Sequence, residues 1–135
     1  MVVNDLFQAE MNEALQNFWL PNTQAYPNLY QWYTNWQVVL KSTNTIIGSI
    51  GFGGYPNDHG ETSLGYMTDQ QHWGLGYATE AVNILAQWGF SFSILKAITA
   101  DTPLQNLASQ RVLAKANFKQ THSQNGLQYF KRLKV

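Results

Sequence analysis

The segment Leu64-Gly65-Tyr66-Met67-Thr68-Asp69-Gln70-Gln71-His72-Trp73-Gly74-Leu75-Gly76-Tyr77-Ala78-Thr79-Glu80-Ala81 constrains the fold more than any other. An apolar, β-prone run leads into a loop with two glycines, and a helical pattern begins at once. Glycine lets the main chain turn with positive φ and approach a ligand closely. Amides at the start of a helix lack intrahelical acceptors and favour an anion. Strand, glycine loop and helix in this order predict a phosphate site built from backbone. Several nucleotide and coenzyme folds use that arrangement, so the glycines alone name none of them. A dinucleotide fold fits poorly, because Ala78 to Ala81 contain no third glycine of a Gly-x-Gly-x-x-Gly pattern.

The rest of the chain supplies a frame for that segment. Asn4 to Leu20 reads as one helix, with Leu6, Phe7, Met11, Ala14, Leu15 and Phe18 at helical spacing and Pro21 as its stop. An aromatic stretch follows (Tyr26, Tyr30, Trp32, Tyr33, Trp36), read as a loop and a short helix. It is either a lid packed on the core or a wall of an acceptor pocket. Strands are predicted at Trp36–Lys41, Ile46–Gly53 and Glu61–Thr68, joined as an antiparallel meander. The helix after the glycines should run from Tyr77 to Phe92 and bury Ala78, Ala81, Val82, Leu85, Trp88, Gly89 and Phe92. Ala97–Asp101 is the next strand, and a right-handed crossover makes it a parallel neighbour of Glu61–Thr68. A helix over Asn106–Ala116 should end at a left-handed Asn117, before a hairpin turning at Asn125-Gly126.

Composition narrows the function by exclusion. With 135 residues and no linker, one domain covering 1–135 is expected. Zero net charge on 8 basic and 8 acidic residues argues against a nucleic-acid partner. The absence of cysteine removes disulfides, thiolate metal sites and cysteine nucleophiles. His59, His72 and His122 lack metal-ligand spacing, so no metal is expected. Asp5 and Glu10 stand where a signal peptide would be apolar, and no stretch is long enough to span a bilayer. A cytoplasmic protein without membrane contact is the resulting expectation.

Two blocks carry a family likeness. Gly65-Tyr66 through Gly76-Tyr77-Ala78-Thr79-Glu80-Ala81 resembles the acetyl-coenzyme A segment of the GNAT (GCN5-related) N-acetyltransferases, in the branch that includes the ribosomal-protein N-terminal acetyltransferases. The family loop reads Gln/Arg-x-x-Gly-x-Gly/Ala. A literal match starts at Gln71, but the following Gly-Tyr-Ala-Thr-Glu-Ala favours the register Trp73-Gly74-Leu75-Gly76-Tyr77-Ala78, which puts Trp73 where the family has Arg or Gln. The second block, Asn106-Leu107-Ala108-Ser109-Gln110-Arg111-Val112-Leu113-Ala114-Lys115-Ala116-Asn117-Phe118, resembles the family's Asn-x-Ala-Ser-x-x-Val-Leu-x-Lys-x-Gly-Phe. The likeness implies an α/β (α+β) GNAT fold: a mixed central sheet with antiparallel N-terminal strands, one parallel splayed strand pair and a C-terminal hairpin. The family's first strand is not found here, so the chain is read as a shortened member or as starting late. The exposed sheet edge invites a homodimer.

The resemblance also implies a reaction, namely acetyl transfer from acetyl-coenzyme A to a primary amine. Pantetheine would pair with the backbone of Tyr66, Met67 and Thr68, and the diphosphate would meet Gly74, Leu75, Gly76, Tyr77 and Ala78, flanked by Trp73 and Thr79. Asn106 would hold the pantetheine arm or serve only as a helix cap. The oxyanion would meet an N–H near Met67. Ser109 would protonate the departing thiolate or simply face solvent. The tyrosine that other members use four residues later is Leu113 here. The branch's glutamate position is Ser63, which leaves Glu61 and Asp101 as candidate bases or solvated carboxylates. Deprotonating a lysine-like amine at pH 7 costs about 5 kcal/mol, against about 1 to 1.5 for an α-amine. Without a strong base, low-pKa amines are the favoured acceptors. The alternative is a non-catalytic acyl-coenzyme A-binding protein.

Overall fold

Apolar alternation builds the sheet and helical periodicity covers one face of it. The computed structural model describes residues 27–135; the expected helix Asn4–Leu20 and Tyr26 lie outside them. A 3₁₀ stretch, Pro27–Trp32, leads into β1 (Trp36–Leu40), β2 (Thr45–Phe52) and β3 (Glu61–Thr68), the expected antiparallel meander. Helix α1 (Tyr77–Phe90) crosses to β4 (Ala97–Pro103), and α2 (Leu107–Lys115) leads to the hairpin β5 (Lys119–Gln124) and β6 (Leu127–Leu133). Among the described residues the sheet order is β1-β2-β3-β4-β6-β5, mixed through a single parallel pair, β3 and β4. Asn117, Asn125 and Gly126 take the left-handed conformation expected of them, with φ of 67°, 54° and 78°.

One cluster holds the layers together. Ile50, Phe52 and Leu64 from the meander meet Val82, Leu85 and Ala86 of α1, and Ile98, Phe130 and Leu113, the last from α2, continue it. Side chains alternate along β3 and β4, so Leu64, Tyr66, Ile98 and Ala100 turn toward the helices while Ser63 and Asp101 turn away. Trp32 is buried against Phe52 and Trp88, with ring centroids 5.1 and 5.2 Å apart. Its place near the far end of α1, about 16 Å from that helix's first turn, makes this part of the aromatic stretch a core anchor. The helix ends two residues earlier than its periodicity predicts. Phe92 lies beyond it, 42% exposed, although its ring still touches Trp88 at 4.9 Å.

The β3–β4 seam decides where a ligand can enter. Pairing covers only Glu61–Ala97, Thr62–Ile98 and Ser63–Thr99. Beyond it β3 stays with β2, while β4 stays with β6 from Ala97 to Pro103. The two strands therefore part toward their C-terminal ends, and main-chain groups of both face the opening.

Candidate active site

The ladder between β2 and β3 shows which groups of β3 are free. Asp69 N–H donates to Ile47 O at 2.7 Å and Gly53 N–H donates to Ser63 O at 2.8 Å, with an unbroken register between these pairs. Hydrogen-bonded and non-bonded pairs alternate in an antiparallel ladder. Met67 therefore spends its amide on Ser49, whereas the main-chain groups of Tyr66 and Thr68 turn toward the parted β4. Trp73 Nε1 donates to Thr68 O at 2.8 Å and ties the glycine loop to the end of β3. The open amides near Met67 are thus those of Tyr66 and Thr68.

The loop delivers the helix start to the same opening. Gly74 and Gly76 have φ of 76° and 86°, which L side chains rarely adopt, and a Cβ on either would meet nothing within 4 Å. The glycines are needed for the turn and leave open space beside it. Gly76 is the N-cap of α1 and offers no side-chain hydrogen bond. The first-turn amides of Tyr77, Ala78 and Thr79, which have no intrahelical acceptors, are left without a side-chain cap. Glu80 in that turn complements the helix dipole.

These groups converge on a cavity of about 510 Å³ between β3, the α1 start and α2. All the residues expected at the site line it except Leu75, Glu61 and Asp101. Leu75 sits between the glycines, 61% exposed. Glu61 lies at the closed end of the seam, five residues or about 17 Å along β3 from Tyr66. Its carboxylate is engaged by Lys131 Nζ at 3.0 Å. Asp101 is exposed on the face away from the helices, in the half of β4 that has left β3. The structure thus separates the two carboxylates that the sequence offered together.

Helix α2 forms the far wall. Asn106 Oδ1 accepts from Ser109 N–H at 3.0 Å, capping the helix and fixing its first turn. Ser109 Oγ lies 2.6 Å from the Tyr66 hydroxyl, which is also 3.2 Å from Ser109 O. Burial pushes the Tyr66 phenol above its ordinary value of 10, and the Ser109 bond pulls the other way. The phenol therefore keeps its proton at neutral pH. Arg111 and Lys115 also line the cavity, one helical turn apart, and no ion pair involves either among the described residues. Sequence reasoning gave these two cations no role. Their i, i+4 spacing, with Arg111 two residues beyond Ser109, was the available signal.

Other features lie elsewhere. An apolar cavity of about 740 Å³ runs between β1 and α1, past Trp36, Val38, Ile84 and Trp88. Among the described residues, β1 is an edge strand, no group of three acids, histidines or cysteines could hold a metal, and no helix is long and apolar enough to cross a membrane.

Comparison with known proteins fits this geometry. Residues 4–119 match the family model for the acetyltransferase (GNAT) domain. The chain is similar to the uncharacterized N-acetyltransferase YjdG of Bacillus subtilis (strain 168), 34% identical over 90 residues, which is 67% of this chain and 54% of that protein. The chain spans about half to two-thirds of the length of three curated relatives it matches. Its fold is similar to a GNAT-family acetyltransferase from Bacillus anthracis (TM-score 0.66, 24% identity, 74% of this chain and 66% of that one). It is also similar to the ribosomal-protein-S5-alanine acetyltransferase from Vibrio fischeri (TM-score 0.61, 24% identity, 71% and 58%). A third similar fold is the microcin C7 self-immunity acetyltransferase MccE, solved with acetyl-CoA and AMP (TM-score 0.57, 18% identity, 67% and 57%). On the extent of the family-model match, this chain belongs to the GNAT acetyltransferase family.

Proposed function

We propose that the chain transfers an acetyl group from acetyl-coenzyme A directly to a primary amine. The observation that carries this reading is the uncapped start of α1, opening on a cavity that also receives the free main chain of β3. One wall suits a diphosphate and the other suits an extended, amide-bearing arm. Arg111 and Lys115 add positive charge where the nucleotide end would leave the cavity.

The division of labour follows from the two faces of the sheet. Ser109 and Tyr66 stand on the helix face and Asp101 on the other. An amine entering from the Asp101 side attacks the thioester carbonyl. The oxyanion meets an amide of Tyr66 or Thr68, and the sulfur leaves toward Ser109. Asp101, directly or through water, takes the amine proton. Glu61 is too far along β3 for that task and is already paired. An exposed carboxylate is a weak base for lysine-like amines, so α-amines and other low-pKa acceptors are the proposed class. A second reading, a non-catalytic acyl-coenzyme A-binding protein, draws support from Ser63 at the branch's glutamate position. Pairing of the β1 edge with a second copy, in a cytoplasmic homodimer, is part of the proposal, and light scattering on the purified protein would test it.

Calorimetry with acetyl-coenzyme A, followed by an amine panel assayed by thiol release, separates these readings. Binding with amine-dependent thiol release supports the transferase. Tight binding without turnover supports the second reading. Folded protein that takes up no acetyl-coenzyme A overturns both.

A further inference from the structure

We propose that Tyr66 is a positioning residue for Ser109: its phenol donates to Ser109 Oγ and turns the serine's one proton toward the departing coenzyme sulfur. The inference rests on the transferase reading above. The contact joins strand β3 to helix α2 across 43 residues of sequence, and both partners line the cavity. A lone serine hydroxyl on a helix rotates freely and can back-bond to the carbonyl one turn earlier, which withdraws its proton from a ligand. The two hydroxyl oxygens are 2.6 Å apart and either can donate; with the phenol proton directed at Ser109 Oγ rather than at Ser109 O, 3.2 Å away, the serine oxygen is held as an acceptor and its own proton is left for a ligand. Serine is also a poor acid by itself and needs a source behind it.

Helix α2 cannot supply a phenol directly. The residue one turn beyond Ser109 is Leu113, fully buried in the core. The opposite wall supplies the phenol instead, from a strand whose own main chain faces the opening. The proton inventory balances. As the carbon–sulfur bond breaks, sulfur keeps the electron pair and takes the Ser109 proton. Ser109 recovers a proton along its bond from Tyr66, and the phenol is restored by solvent. Solvent in turn receives the proton lost by the acceptor amine.

The test is a double-mutant cycle of Tyr66→Phe and Ser109→Ala, read by thiol release with the most active amine, with melting temperature and acetyl-coenzyme A affinity measured in parallel. Tyr66→Phe keeps the ring and should lower kcat about tenfold, leaving KM for acetyl-coenzyme A within about twofold. In the Ser109→Ala background the same change should add less than about twofold. Losses that multiply, or a rise in KM with kcat intact, would assign Tyr66 to packing or coenzyme binding and overturn the inference. Unchanged kcat in Tyr66→Phe overturns it too, while leaving the transferase reading standing. No turnover by the unaltered protein with any amine overturns both together.

Discussion

Replacing Gly76 by alanine tests the backbone cradle, and Gly60 is its internal control. Both residues are left-handed, with φ of 86° and 75°. An alanine at either site carries the strain of that conformation, about 1 to 2 kcal/mol. Their surroundings differ. A Cβ at Gly60 would lie 2.5 Å from Lys96 Cγ and 2.9 Å from Ile94 O, whereas one at Gly76 meets nothing within 4 Å. Lysine can swing aside but a carbonyl cannot, so Gly60→Ala adds an overpacking term of about 1 to 3 kcal/mol. Denaturation should rank Gly60→Ala as the more damaged protein, with Gly76→Ala melting roughly 4 to 8 °C below the parent. Calorimetry with acetyl-coenzyme A should reverse the order. On the proposed reading the added methyl at Gly76 would stand where the diphosphate approaches, and a loss of at least about tenfold, or about 1.4 kcal/mol, is expected. Gly60→Ala should bind within about threefold of the parent at a temperature where it is folded. Parent-like affinity in Gly76→Ala would show that the glycine serves the turn alone and would refute the cradle.

Further outcomes follow from the same geometry. Asn106→Ala should cost about 1 kcal/mol of stability through loss of the α2 cap and should also slow thiol release, because Ser109 is held by that bond; denaturant melts and kinetics check the two effects, and Asn106→Asp should restore both. Glu61→Gln weakens a pair with Lys131 whose side chains are 36% and 32% exposed, so stability should change by less than about 1 kcal/mol and activity should persist; a large fall in activity would reinstate Glu61 as the base. The Arg111→Ala, Lys115→Ala double variant should weaken acetyl-coenzyme A binding about tenfold at low ionic strength, with the deficit shrinking near about 0.5 M salt; an equal deficit at both would point to altered packing.

Local chemistry was the legible part of this chain. Glu61–Thr68 is bounded as its alternation indicates, and Asn125-Gly126 turns the hairpin where a type I′ signal stands. The boundaries that drifted are those set by distant contacts. Phe92 continues the apolar stripe of α1, yet it leaves the helix to pack on Trp32 and Trp88 from outside. At the site, the glycine loop and the Asn106 cap are short-range devices and could be read directly. The Tyr66–Ser109 contact, the capture of Glu61 by Lys131 and the turning of Met67's amide into the β2 ladder depend on strand register. Those pairings join residues tens of positions apart, and no window along the chain contains both partners.

The α1 tip presents amides, and an amide's offer to a phosphate does not depend on the side chain beside it. Point substitutions at Leu75 or Ala78 should therefore be tolerated as far as that contact is concerned. Deleting a single residue between Gly74 and Tyr77 is a different event. Only Leu75 and Gly76 lie there, both ahead of the helix, so the deletion would shorten the turn that sets the α1 tip over the cavity and draw the whole fan of donors out of place. A library of insertions and deletions across this loop should be far less forgiving than a library of substitutions.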